Sequence, residues 1–297
     1  MAWSFKEFAS IVRVTDGAFG TELAKRGLPC GSVELLNRLN PESVMVVARS
    51  FVEAGCDALM TNTLGANRFM LEACGAGDRA AELAEAGVAL SKRAAAGTAV
   101  KVFASLGPTG KVVMMEEVPT DRLAAAFAET AEALAWGGAD AIVIETFGEL
   151  AEVRIALRAV REATALPVVV SMAFSSGPDK TISMMGNRPA ELARLAAGEG
   201  ADAVGANCGC GPDYCVRLTE LLRGACNLPI WVKPNAGLPV LVRGKATFPM
   251  GPQEFASYVP KLIGAGASFI GGCCGTTPEH VRAVRQAVDA QAGRGPA

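Results

Sequence analysis

Eight short apolar runs recur along the chain, separated by stretches rich in Ala and Leu. They are Ile11–Asp16, Asp57–Asn62, Val100–Leu106, Ala141–Phe147, Pro167–Phe174, Ala203–Cys208, Pro229–Asn235 and Ser268–Cys273, bounded by Gly, Pro or Asn. Nearly continuous apolar runs of this length read as strands buried on both faces, which is a property of parallel sheets. The intervening stretches predict helices at Pro41–Ala54, Thr120–Gly137, Glu149–Ala165, Pro189–Gly198 and Pro278–Gln291. Pro in a first turn followed by an acid, as in Pro41-Glu42 and Pro278-Glu279, favours a helix start. Eight strand-plus-helix repeats fit an α/β fold closed as a (β/α)8 TIM barrel better than an open doubly wound sheet. The 297 residues suffice for one such domain, and no break in composition marks a second. The barrel core is expected over about residues 11–290, with a frayed tail at Ala292–Ala297.

Composition narrows the functional classes. Hydrophobic residues make up 51% and charged residues 20%, a globular balance, and the net charge is −2 with both signs interspersed. No basic stripe or polybasic segment suits nucleic acid or a membrane surface. Met1–Ser10 lacks the basic-then-apolar pattern of a signal peptide, and no apolar stretch reaches the roughly 20 residues of a membrane span. A cytoplasmic protein is expected, and there nine cysteines need a reason other than disulfides. Cys30, Cys56, Cys74, Cys215 and Cys226 are scattered and read as small buried hydrophobes. Cys208, Cys210, Cys273 and Cys274 instead fall in Gly-rich segments where strands six and eight end.

Asp16, Asn62, Glu145, Cys208, Asn235, Cys273 and Cys274 all stand at carboxyl ends of expected strands. In a barrel those ends converge on one face, where active sites are built. Any one of them alone could simply cap the next helix. Adjacent side chains on a strand point to opposite faces, so Cys273 and Cys274 can share a metal only where the backbone leaves strand geometry. Their flanking glycines permit that. Cys208, Cys273 and Cys274 would then offer three soft ligands and one open position, a combination that favours zinc. On spacing alone a metal-free vicinal pair and a redox disulfide stay open, and Cys208-Gly209-Cys210 offers another choice of ligand. The single histidine, His280, reads as a helix-surface residue, which leaves sulfur to hold the metal.

The segment from Gly271 to His280, with its Cys273-Cys274 pair, resembles the terminal zinc motif of the homocysteine S-methyltransferase family. Asp16-Gly17-Ala18-Phe19-Gly20-Thr21 resembles that family's opening motif, and Thr61-Asn62-Thr63, Glu145-Thr146-Phe147 and Asn207-Cys208 match its internal landmarks in order. Pro234-Asn235-Ala236-Gly237-Leu238-Pro239 resembles the form in the homocysteine domain of cobalamin-dependent methionine synthase. The resemblance spans residues 11 to about 290 and independently implies the barrel. It implies that Cys208, Cys273 and Cys274 bind zinc and carry the catalysis. It also implies that Asp16 and Glu145 read the ammonium group of an amino acid, that Asn62 lines the substrate site, and that Asn235 can fill the open zinc position before substrate arrives. Cys210 departs from the pattern, since methionine synthases usually have an apolar residue there; it is either an idle thiol beside the site or the mark of a different acceptor.

The activity so implied is zinc-dependent methyl transfer to homocysteine, giving methionine. A cobalamin module presents Asp-x-His-x-x-Gly, but His280 has Pro278 two places before it and Arg282 two places after. The donor is therefore expected to be a methyl-corrinoid on a separate protein or, alternatively, a free onium compound. Another thiol or thioether substrate, including demethylation, is a further alternative. So is a non-catalytic subunit that only docks a corrinoid protein. A different chemistry comes from Lys233, which could form a Schiff base in a phosphate-sugar aldolase with the Gly-rich turn of strand eight. That reading leaves the strand-end cysteines unexplained.

Overall fold

The computed structural model describes residues 3–27, 32–242 and 245–293; Cys30 and residues 294–297 of the tail lie outside them. Eight parallel strands form the sheet: β1 Arg13–Val14, β2 Ala58–Met60, β3 Lys101–Leu106, β4 Ala141–Phe147, β5 Val168–Met172, β6 Ala203–Asn207, β7 Ile230–Lys233 and β8 Ala267–Ile270. The order runs β1-β8-β7-β6-β5-β4-β3-β2, and a parallel bridge between Thr15 and Ala58 brings β1 back to β2. The result is the expected barrel. Its strands are mostly apolar and buried on both faces; Ala141, Ile142, Val143 and Ile144 are all fully buried. The helices outside pack one apolar stripe each, as in Leu150–Ala163, which buries Val153, Ala156, Leu157 and Val160.

The amino-terminal end of the barrel is plugged with aromatic rings. Phe5 stacks on Phe103 and Phe269 at 6.0 and 5.8 Å, and Trp231 lies 5.2 Å from Phe269. That end therefore stabilises the fold and leaves the carboxyl-terminal face for chemistry.

Besides the fifth, five strands stop short of their expected ends: β1 at Val14, β2 at Met60, β6 at Asn207, β7 at Lys233 and β8 at Ile270. Backbone groups beyond them make loop contacts instead, as where Cys273 N–H donates to the Pro234 carbonyl at 2.7 Å. The fifth apolar run is broken, because Phe174–Ser176 pairs antiparallel with Ile182–Ser183 in a hairpin after β5. A second hairpin, Val240–Val242 with Lys245–Thr247, follows β7.

Two sequence expectations need correction. Of the scattered cysteines, Cys56 and Cys215 are buried, but Cys226 is half-buried and Cys74 is exposed in the turn leaving the short helix Arg68–Glu72. His280 is not on the helix surface but buried, because it caps its own helix. Its Nδ1 accepts from Thr277 N–H at 3.2 Å, so Nε2 carries the hydrogen and donates to the Met250 carbonyl at 3.0 Å. Among the described residues no helix is long and apolar enough to cross a membrane.

Candidate metal centre and substrate cavity

Cys208 follows β6, and Cys273 and Cys274 follow β8 in a turn closed by Thr276 N–H to the Cys273 carbonyl at 3.1 Å. Because β8 has already ended, strand alternation no longer separates the two adjacent side chains. Two glycines make the turns possible. Gly209 has φ 73° and a Cβ there would sit 2.5 Å from the Phe174 carbonyl oxygen; Gly275 has φ 82° and a Cβ would collide with the Phe248 ring.

The sulfur atoms of Cys208, Cys273 and Cys274 lie within 4.8 Å of one another, with Cys208 and Cys274 3.9 Å apart. Tetrahedral zinc at about 2.3 Å from each sulfur would space them at roughly 3.8 Å. Cys208 is pulled down to about 3 by the hydrogen-bonding thiols of Cys273 and Cys274. Cys274 is pushed up to about 12, chiefly by Cys208, and Cys273 is pushed up by the same contacts. A thiolate at Cys208 is favoured by the thiols beside it, and a soft cation that binds all three as thiolates would take the place of the remaining protons. Asn235 is buried with its amide against Cys208, and its Oδ1 has no hydrogen-bond partner among the described residues. An orphaned acceptor beside clustered sulfurs is the environment a cation completes. The donor set fits zinc.

Beside the sulfurs opens a cavity of about 200 Å³. Asn62, Glu145, Cys273 and Cys274 line it, together with Lys233, Ser105 and the Gly17–Thr21 segment. Asp16 does not. It is fully buried, with Oδ1 on Lys233 Nζ at 2.5 Å and Oδ2 on Met60 N–H at 2.8 Å. Asn62 spends its amide N–H groups on the Val33 carbonyl and Asn37 Oδ1, at 2.8 and 2.9 Å. Glu145 accepts from the Ser105 hydroxyl at 2.5 Å. Burial pushes its carboxyl above the ordinary carboxylate range, although Lys233 and Ser105 draw it back. For Lys233, burial alone would lower the ammonium, but Asp16 and Glu145 outweigh burial and hold it above its usual value. Schiff-base chemistry needs a neutral amine, so the aldolase reading loses its nucleophile.

The family model for homocysteine S-methyltransferase matches residues 13–288. The chain belongs to the homocysteine S-methyltransferase family. The methionine synthases of Mycobacterium leprae and Mycobacterium tuberculosis are 33% and 36% identical to it over 94% and 93% of this chain, and each alignment takes in 24% of the relative. The chain thus spans about a quarter of the length of these relatives. Among solved structures, the metallated form of the homocysteine methyltransferase MmuM from Escherichia coli matches with a TM-score of 0.77 and 25% identity, covering 92% of this chain and 95% of that one. A methyltransferase from Methanosarcina mazei shares the fold, with a TM-score of 0.62 at 13% identity over 95% of each chain.

In this homocysteine S-methyltransferase family member Cys210 stands apart from the three-sulfur cluster. It is fully buried, with its sulfur 3.6 Å from that of Cys215, and its backbone braces the site by donating to the Cys208 carbonyl and accepting from Asn235 N–H. Ser105 is a cavity residue that sequence reading did not single out, and Lys233 entered that reading only as an aldolase nucleophile. For Lys233 a signal was present: a lysine ending an otherwise apolar strand, Ile230–Lys233, has to find a buried counter-charge.

Proposed function

We propose that the chain works as one barrel unit in the cytoplasm and methylates homocysteine to methionine at a zinc ion held by Cys208, Cys273 and Cys274. The observation that carries this is the cluster of three sulfurs within 4.8 Å, with the orphaned Asn235 oxygen beside it, at the wall of a cavity that also holds Glu145. Bound zinc would keep a coordinating substrate thiol deprotonated, which makes it nucleophilic at neutral pH.

The chain's own groups supply the rest. Glu145 faces the cavity and receives the substrate ammonium, whose positive charge favours the carboxylate form. Asn62 lines the same cavity and fixes its wall through Asn37. Asp16 acts one layer back, holding Lys233 so that the ammonium of Lys233 balances one of two buried carboxylates. The remaining negative charge suits one amino group. Asn235 would fill the open ligand position of a bound zinc, and Cys210 would play no part as a ligand.

For the donor, the Pro234–Pro239 segment favours a methyl-corrinoid held outside this chain over a free onium compound, and identity with two methionine synthases supports the same choice. The test is methionine formation by the purified chain from homocysteine and methylcobalamin, with zinc and after chelation, alongside sulfonium and ammonium donors. Zinc-dependent methionine from methylcobalamin is expected. Methionine from an onium donor only would replace the corrinoid, and equal rates without metal would remove zinc.

A further inference from the structure

Thr146 and Cys208 have φ of 69° and 59°, in the left-handed region, and both lie where barrel strands open into the site. A β-branched residue avoids that region unless its surroundings impose it. One side chain does so here. Asn207 is fully buried; its Oδ1 accepts from Thr146 N–H at 3.0 Å and from the Ser171 hydroxyl at 2.7 Å, and its Nδ2 donates to the Thr146 hydroxyl at 2.7 Å.

The consequences fall on both sides of the cavity. In β4, Ile144 pairs with Val170 and Phe147 with Met172, so β4 carries one extra residue, a bulge. Phe147 packs outward on Phe127 of the helix Thr120–Trp136, with centroids 5.9 Å apart, while Glu145, two residues earlier, faces the cavity. Plain alternation would put both on one face. In β6, Asn207 is the last strand residue; its neighbour Cys208 turns left-handed, and Cys210 N–H closes back on the Cys208 carbonyl at 2.8 Å. The residue whose backbone leads into one sulfur therefore clamps, through its side chain, the turn that aims the carboxylate.

The geometry points to Asn207 and Thr146 as a positioning pair that sets the spacing between the Glu145 carboxylate and the Cys208 sulfur, and through it the length of aminothiol the site accepts. This inference rests on the zinc–thiol reading above, with the ammonium at Glu145 and the thiol beside Cys208. A fixed spacing suits homocysteine and disfavours cysteine, which is one methylene shorter.

The test measures binding of homocysteine and of cysteine to the zinc-loaded chain by calorimetry, with zinc retention against a chelator and thermal unfolding as companions. Asn207→Ala should weaken homocysteine binding about 10- to 100-fold and narrow its preference over cysteine. Thr146→Val, which loses the hydroxyl and disfavours the turn, should behave similarly. Thr146→Gly should keep the wild-type preference, because glycine takes the left-handed conformation unaided. The double variant N207A/T146G should recover most of what N207A loses, and a merely structural role would not produce that rescue. Wild-type preference in N207A, or a double variant no better than N207A, would overturn the inference. If N207A fails to fold, the comparison of T146G with T146V decides, and T146G faring worse would overturn it. A wild-type chain that binds neither zinc nor homocysteine would overturn the zinc–thiol reading itself, and this inference with it.

Discussion

Cys208 and Cys210 are two positions apart, yet one sulfur points into the cluster of three and the other into a buried contact with Cys215. Single Cys→Ser variants should therefore separate them by metal analysis. Zinc should be lost from Cys208→Ser, Cys273→Ser and Cys274→Ser and kept by Cys210→Ser; full zinc in Cys273→Ser would sink the assignment. Glu145→Gln should leave zinc content unchanged but weaken amino-acid binding. Losing a charge-assisted hydrogen bond of about 1.5–3 kcal/mol raises a dissociation constant roughly 10- to 150-fold. Lys233 has a different role, as the buried cation between Asp16 and Glu145. Lys233→Met leaves Asp16 without its partner, and denaturant unfolding should show a loss of about 3–5 kcal/mol. A variant as stable as the parent would mean that the pair is not ionised.

The last helix, Pro278–Gln291, begins with a motif in which Thr277 and His280 cap each other. His280 also holds the Met250 carbonyl, while Met250 N–H holds that of Ala236, next to Asn235. Burial lowers His280 below its ordinary 6.5. The unfolded chain then takes up a proton that the native chain resists. The stability is present above about pH 6.5 and is lost as pH falls from there through the depressed native value. Denaturant unfolding at about pH 7.5 and about pH 5.5 should show a smaller loss for His280→Gln than for the parent, and equal losses would remove His280 as the cause.

At this scale the sequence was legible where burial dictates residue type. Runs such as Ala141–Phe147, Pro189–Gly198 and Pro278–Gln291 coincide with their elements to the residue. It was less legible where polar partners decide. His280 looked like a surface residue because its two hydrogen-bond partners, a cap and a carbonyl thirty residues away, leave no periodic trace. The early strand ends, the hairpin after β5 and the commitment of Asp16 to Lys233 likewise depend on contacts distant in sequence. For the cysteines, barrel topology and Gly-rich segments brought four of them to one face, and it was the family resemblance that singled out Cys208, Cys273 and Cys274 from Cys210.

For the molecule as a whole, one end of the barrel is closed by the rings of Phe5, Phe103, Trp231 and Phe269, and the other collects the sulfurs, Glu145, Lys233 and Asn235. Stability and chemistry are thereby kept at opposite ends. The central claim is that the substrate sulfur becomes the fourth ligand of zinc held by three cysteines, with the neutral Asn235 oxygen giving way. X-ray absorption at the zinc edge, before and after adding homocysteine, tests it directly. The account predicts a shell of three sulfurs that becomes four, with release of about one proton for each thiol bound. A shell that stays at three sulfurs under saturating homocysteine would contradict it.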